Sequence, residues 1–261
     1  MIHRAIADTG LTVSPLGLGT VKLGRNEGVK YPQGFSIPDD RQALQLINLA
    51  ADLGINLIDT APAYGTSEER LGTLLAGQRE RWVICTKVGE EFIRGASHFD
   101  FSPEHTRFSV ERSLKRLKTD VLDLVLVHSD GNDLDIVQRY GTLEVLNELK
   151  QKGLIRATGI SSKTVEGAIA ALQQSDCAMV TYNLNEQQEG EVIDYAQAHN
   201  KGILIKKALA SGHLCQTGED PARQSMEFVF ARPGVCSAII GTINEAHLRS
   251  NQQTVQELLG S

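Results

Sequence analysis

Cysteine is scarce and scattered: Cys85, Cys177, Cys215 and Cys236 form no C-x-x-C pair, so neither a zinc site nor a disulfide framework is indicated. The four read as reduced core thiols. Aromatic residues make up only 5% of the chain and no block of basic residues occurs in it. With 26 lysines and arginines against 32 aspartates and glutamates the net charge is −6, the opposite of the electrostatic footprint that nucleic acid requires. Nucleic acid is not expected as a partner. No apolar run approaches the roughly 20 residues that span a bilayer, and the opening MIHRAIADTG has no apolar signal-peptide stretch. Neither a membrane nor secretion is expected, which leaves the cytoplasm. No Pro/Ser-rich linker divides the chain, so residues 1–261 read as a single domain.

What is present is a repeated alternation. Of the 261 residues 41% are hydrophobic and 22% charged, enough for an independent core. Short β-branched runs predict strands at Leu16–Gly19, Ile55–Asp59, Val83–Lys87, Leu122–Val127, Ile155–Ile160, Ala178–Tyr182, Ile203–Lys206 and Ala238–Ile240. Helical stretches lie between them, with apolar residues three and four apart: Ala43, Leu46, Ile47 and Ala50 in the first, Phe108, Val110, Leu114 and Leu117 in the third. Pro38 and Pro103 suit first-turn positions, Ser102 an N-cap, and Gly54, Gly153 and Gly202 left-handed helix ends. Eight strand–helix units in about 250 residues match an α/β (β/α)8 TIM barrel; a doubly wound open sheet is the competing architecture. His3 to Val13, around Asp8-Thr9-Gly10, resembles a short N-terminal β-hairpin that would cap the barrel's bottom.

In either architecture function belongs where strands end, and several of these ends are polar. The second strand closes on Asp59 with Tyr64 in the following loop, the third on Lys87, and the fourth on His128. Each alone has an ordinary explanation as a cap, a rim residue or a hydrogen-bonded core group. An acid, a phenol, an amine and an imidazole at consecutive strand ends are harder to ascribe to packing. A tyrosine, with a pKa near 10, is a poor acid at neutral pH until a cation stabilises its phenolate. Lys87 could supply that cation, Asp59 could hold the ammonium, and His128 could bond a substrate oxygen beside the tyrosine. Together they would protonate a carbonyl as a hydride reached its carbon. No side chain donates hydride, so a nicotinamide cofactor is implied.

At these residues the sequence resembles the aldo-keto reductase family, a (β/α)8 group of NADPH-dependent carbonyl reductases. The resemblance runs from LGLGT at Leu16 to Asn251; its most specific part is DTAPAYGTSEERLG, Asp59–Gly72, with Thr86-Lys87 and LVLVHSD, Leu124–Asp130, following in order. It implies that Tyr64 is the general acid, that Lys87 and Asp59 tune it, and that His128 orients the carbonyl. The glycines Gly17, Gly19 and Gly24 are spaced G-x-G-x-x-x-x-G, which is not the G-x-G-x-x-G of a Rossmann site. The resemblance instead implies a cofactor lying across the barrel mouth, bordered by Gly19 and Thr20 and also touching Asp59.

The remaining cofactor positions partly depart from the family pattern. The usual Ser-Asn after the fifth strand reads Ser161-Ser162, the usual Gln of the sixth falls on Met179, and the cofactor-stacking tyrosine of the seventh falls on Lys206. ILIKKALASGHL, aligned through Leu209, Gly212 and Leu214, adds Ser211 to the expected cofactor contacts. Gly241-Thr242 would receive the adenosine 2′-phosphate, His247 stands at the family's arginine, and Asn251 would reach the adenine. NADPH is the expected cofactor, with NADH possible. The expected partner is an aldehyde or ketone substrate. The functional alternatives are a cofactor-binding sensor or regulatory subunit with slow turnover, and an open-sheet dehydrogenase. The loops Arg25–Phe35, Glu90–Phe101 and Ser129–Asp135 would set the substrate; Phe92, Phe99 and Phe101 could wall the carbonyl site or simply cover the barrel. Oligomeric state leaves no trace in the sequence.

Overall fold

Each β-branched run between two helical stretches forms a parallel strand, and in the computed structural model, which describes residues 2–212 and 220–260, the eight close on themselves. An N-terminal antiparallel hairpin, β1 (Arg4–Ile6) and β2 (Leu11–Val13), comes first. The barrel strands are β3 (Leu16–Gly19), β4 (Leu57–Asp59), β5 (Val83–Val88), β8 (Leu122–His128), β9 (Ile155–Ser161), β10 (Cys177–Thr181), β11 (Gly202–Lys206) and β12 (Ser237–Ile240), paired in that order, with β12 returning to β3. A second small hairpin, β6 (Glu90–Ile93) and β7 (Ala96–Phe99), rises from the end of β5. The helices are α1 (Val21–Gly24), α2 (Asp40–Asp52), α3 (Ser67–Leu74), α4 (Pro103–Leu117), α5 (Asp133–Arg139), α6 (Thr142–Gln151), α7 (Val165–Leu172), α8 (Gly190–Ala198), α9 (Pro221–Phe230) and α10 (Glu245–Leu259). None of the described helices is long and apolar enough to cross a membrane.

All eight expected strands are present, with small shifts at their ends: β4 begins at Leu57 rather than Ile55, and Tyr182 lies just past β10. Strand alternation divides the apolar residues into two shells. One shell lies between strands and helices, where Ile58, Ile84, Val125 and Ile205 meet Ala43, Leu46, Ile47 and Ala50 of α2 and their counterparts on the other helices. The other fills the barrel with Leu57, Cys85, Leu124, Leu126, Met179 and Leu204. Met179, at the family's glutamine position, is thus a core residue. Cys85, Cys177 and Cys236 are free, buried thiols; Cys215, like Leu214, lies outside the described residues.

Local signals behave unevenly. Ser102 caps α4 by accepting from the His105 amide at 3.2 Å, with Pro103 in the first turn. Pro38 is not in a first turn: Asp39 is the N-cap of α2, accepting from the Gln42 amide at 2.7 Å in a reciprocal capping box that leaves Pro38 outside the helix. Phe108 is not in the stripe of α4. The buried face carries Thr106, Ser109, Val110, Ser113 and Leu117, while Phe108 is 53% exposed beneath the Arg112 guanidinium. Gly54 and Gly153 take the left-handed conformation, but in the third join Asn200 does so, at φ +52°. Gly202 opens β11, and its lack of a side chain serves packing: a Cβ there would lie 2.7 Å from Ile6 Cγ2.

That contact shows what the first hairpin does. Ile6, Leu11 and Val13 close the lower end of the barrel interior and are almost fully buried. Ile6→Ala should open a cavity in this floor and lower the unfolding free energy by about 2–5 kcal/mol. Denaturant unfolding checks this, and a loss below about 0.5 kcal/mol would show that the hairpin does not seal the barrel.

Candidate active site

The residues that continue the inward-facing rows at the carboxyl ends of the strands are polar: Asp59, Lys87, His128, Ser161, Thr181 and Lys206. Lys87 is the central one. Its ammonium, on a side chain 1% exposed, donates to Asp59 Oδ1 at 2.5 Å and to the Thr60 carbonyl at 2.8 Å, and lies 3.3 Å from the Tyr64 hydroxyl. Tyr64 stands on a short 3-10 turn, Pro62–Tyr64, and its hydroxyl is also 3.3 Å from Asp59 Oδ2. The turn is anchored from below by hydroxyl contacts: Thr60 reaches Ser67 at 3.0 Å, Ser67 reaches Thr20 at 2.8 Å, and Thr20 donates to the Asp59 carbonyl at 2.8 Å. Burial works against the Lys87 charge, but Asp59 and Tyr64 together hold its pKa above the ordinary lysine value. Burial and the Asp59 carboxylate push the tyrosine's pKa up, with Lys87 pulling the other way. Lys87 offsets part of this larger rise. The resting Tyr64 holds its proton.

His128 ends β8 edge-on to Tyr64, with ring centroids 6.2 Å apart. Its Nδ1 lies 2.7 Å from Glu90 Oε2. Burial, aided by Lys87 and Lys206, lowers the imidazole pKa more than Glu90 raises it, so the ring is neutral near pH 7. The Glu90 carboxylate is itself opposed by burial, yet His128, Ser97 and Arg25 hold its pKa down at about 2.

Lys206 reaches the other side of the mouth. It donates to Ser161 Oγ at 3.0 Å and to the Ser162 carbonyl at 2.5 Å, while the Ser162 hydroxyl donates to Glu189 Oε1 at 2.8 Å. Glu189 also accepts from the Thr181 amide at 2.7 Å. Burial, outweighing the attraction of Glu189, brings the Lys206 pKa down to about 8. Ile205 points into the outer core and Lys207 is exposed, as strand alternation requires. Beyond them Lys207, Ala210 and Ser211 all have positive φ.

The sequence model described as the Aldo/keto reductase family matches residues 15–225. The chain belongs to this family. A solved aldo-keto reductase from Pseudomonas aeruginosa is 61% identical, with a TM-score of 0.91 over 98% of this chain and 95% of that one. Aldo-keto reductase YhdN of Bacillus subtilis is 34% identical over 82% of this chain and 64% of its own length. The NADH-specific methylglyoxal reductase of Escherichia coli is 31% identical over 81% and 68%.

In this aldo-keto reductase barrel the remaining expected cofactor residues arrange as follows. Gly19 and Gly241 adjoin across the β3–β12 seam: a Cβ on Gly19 would lie 3.4 Å from Gly241 Cα. Thr242 is buried before α10 and accepts from the Asn244 amide at 3.1 Å. On α10, His247 is exposed and Asn251 is buried. Leu209, Ser211 and Gly212 are half-buried after β11. Of the three phenylalanines, Phe101 is core and touches Gly89, Phe99 stacks on it at 6.0 Å, and Phe92 lies under the Arg25 guanidinium at 3.6 Å.

Four neighbours of the site were not singled out from the sequence: Glu90, Glu189, Arg25 and Tyr31. Tyr31 is carried over the mouth by its loop, so close that a Cβ on Gly241 would lie 2.8 Å from its hydroxyl; the Lys22 ammonium covers its ring at 3.9 Å. Burial and the nearby Asp59 raise its pKa to about 12. Glu90 opens one of the loops expected to set the substrate, and Arg25 and Tyr31 lie in another, whereas Glu189 carries no such sign in the sequence.

A charge as deeply buried as Asp59 depends on its partner. Lys87→Met should destabilise the fold by about 3–5 kcal/mol, and Lys87→Met/Asp59→Asn should recover most of that loss, because the uncompensated carboxylate is then removed. Thermal or denaturant unfolding of the two variants checks this; a double variant no more stable than Lys87→Met would overturn the dependence of Asp59 on Lys87.

Proposed function

We propose that this chain is an oxidoreductase that reduces an aldehyde or ketone to an alcohol with NADPH, with Tyr64 as the proton donor. The observation that carries the reading is the convergence of Tyr64, Lys87 and Asp59 at the barrel mouth, with His128 edge-on to the tyrosine. When bound, the nicotinamide cofactor supplies the hydride. The chain's residues supply the proton and its control. Tyr64 keeps its proton at rest and gives it to the carbonyl oxygen as negative charge develops there. Lys87, 3.3 Å from the phenol oxygen, then stabilises the phenolate, and Asp59 keeps the ammonium in place. His128 holds a substrate oxygen beside the tyrosine.

A dinucleotide fits the observed surface at two places. Gly19 and Gly241 leave the β3–β12 seam without side chains, and Thr242 precedes the N-terminus of the 15-residue helix α10, where an anion is favoured. Gly19, Thr20, Asp59, Ser161, Ser162, Leu209, Ser211, Gly212, Gly241, Thr242, His247 and Asn251 are proposed to line the cofactor. Lys206 joins them. An ammonium has three donors, and two are used on Ser161 and Ser162, so the third can meet a cofactor oxygen. With the Ser162 hydroxyl given to Glu189, it is the serine side chain at Ser161 and the lysine that replace the usual amide contacts. NADPH is preferred in this reading. The E. coli relative is named as NADH-specific, and an imidazole at His247 is a weaker partner for a 2′-phosphate than a guanidinium.

Tyr64→Phe should abolish carbonyl reduction while leaving NADPH affinity nearly unchanged, because only the proton donor is lost. Turnover followed by coenzyme absorbance decides this, and activity within about tenfold of the parent would overturn the assignment. Lys206→Met should weaken NADPH binding by about tenfold or more, as expected for one charge-assisted hydrogen bond, whereas Lys207→Met should change it much less. Fluorescence titration compares them, and equal small losses would place Lys206 outside the cofactor site.

A further inference from the structure

Two lysines stand on the inward row at the barrel mouth, and they are partnered differently. Lys87 holds a carboxylate, Asp59, at hydrogen-bonding distance. Lys206, the last residue of β11, is half-buried and meets only uncharged oxygens, Ser161 Oγ at 3.0 Å and the Ser162 carbonyl at 2.5 Å. Among the described residues no carboxylate is ion-paired with it. Glu189, the acid that attracts it most, has Oε1 taken by the Ser162 hydroxyl and Oε2 by the Thr181 amide. The other charges acting on the amine are Asp133 of α5, Lys163 of the loop before α7 and the adjoining Lys207, and His128 lies across the mouth as a neutral ring. Burial, with Lys207 and Lys163, favours the uncharged amine over the attraction of Glu189 and Asp133, which leaves its pKa at about 8.

We propose that Lys206 is a second reactive group of the barrel mouth, an amine that condenses with aldehydes when no coenzyme is bound and forms an imine in the coenzyme's place. A lysine amine without its proton is a nucleophile toward carbonyl carbon. The ammonium first gives a proton to solvent at the mouth. The Nζ lone pair then attacks the carbonyl carbon, and the resulting carbinolamine loses water, so that a C=N bond replaces the C=O bond. The two amine hydrogens leave with the carbonyl oxygen as that water, and nothing is oxidised or reduced. Lys87 does not share this chemistry, because Asp59 holds its proton in place. An aldehyde is then a substrate beside Tyr64 and a reversible inhibitor at Lys206. The competition half of this inference rests on the proposed placing of the coenzyme against Lys206; the amine half does not.

Trapping the imine in the full-length, coenzyme-free protein tests it. Propanal and sodium cyanoborohydride convert each imine to a stable propyl-lysine, which tandem mass spectrometry of the peptides assigns to a residue. Near neutral pH Lys206 should be labelled about tenfold or more faster than the exposed Lys207, whose amine is an ordinary lysine's and almost wholly protonated. The ratio should fall as the pH is raised toward that of ordinary lysine ionisation. Equal labelling of the two near neutrality, or a ratio that does not move with pH, overturns the proposal. NADP+, the coenzyme form that leaves propanal unreduced, should cut labelling of Lys206 about tenfold when present at about ten times its Kd, with Lys207 unaffected. Labelling of Lys206 that NADP+ leaves unchanged overturns the competition half and the placing of Lys206 against the coenzyme, whereas the proposed carbonyl reduction stands or falls on the turnover of Tyr64→Phe. Treatment with propanal and cyanoborohydride should also weaken NADP+ binding in the parent but not in Lys206→Arg, which keeps a cation without a nucleophilic amine. Equal weakening in both would overturn the competition half, and the labelling of the parent decides the amine half whether or not the variant folds.

Discussion

Closure of the eight-stranded sheet governs everything else in this molecule, because a closed parallel sheet has no free edge and turns every second residue of each strand inward. Below, those inward positions hold leucine, methionine and cysteine and fill the barrel. Two residues further along β4, β5, β8 and β11 they become Asp59, Lys87, His128 and Lys206. The same alternation that packs the core thus delivers four ionisable groups to one rim. They converge without any loop having to bend toward the centre, which gives rigid elements the task of positioning.

Bringing charge to the top of an apolar column has an electrostatic consequence. Asp59 and Lys87 have lost nearly all their water, so each depends on the other, and Lys87 also on the Thr60 carbonyl. Tyr64 is held against this pair by a turn, and the turn by the Thr60, Ser67 and Thr20 hydroxyls. A second buried carboxylate, Glu68, fastens the helix that follows: it accepts from Thr86 on β5 at 2.6 Å and from Ser113 on α4 at 2.7 Å. Strand, turn and two helices are thereby joined by polar groups that each have a partner.

The strands were legible because a buried parallel strand is a continuous β-branched run, and the rim residues because each such run ends abruptly in a polar side chain. Lys206 was legible for the same reason. Phe108 misled because an apolar residue at helical spacing says nothing of the width of the buried face, and α4 buries Thr106, Ser109 and Ser113 beside Val110 and Leu117. Gly202 misled because closeness to Ile6, far away in sequence, demands glycine as firmly as a left-handed turn does. Glu90, Glu189 and Tyr31 were not legible as site residues. Their places depend on how loops fold back over the mouth, and no period in the sequence records that.

The floor of the barrel ties the start of the chain to its last quarter. Ile6 rests on Gly202, the Asp8 carboxylate accepts from Asn200 at 2.9 Å, and Arg4 reaches the Val235 carbonyl at 2.5 Å. During synthesis the first hairpin is made long before any of these partners exists. Its apolar side chains must therefore wait in water or in transient company until β11 and β12 are available, when β12 also meets β3. Contacts of such long sequence separation carry a high closure entropy. Sealing the floor and closing the sheet consequently become late steps of the same folding event.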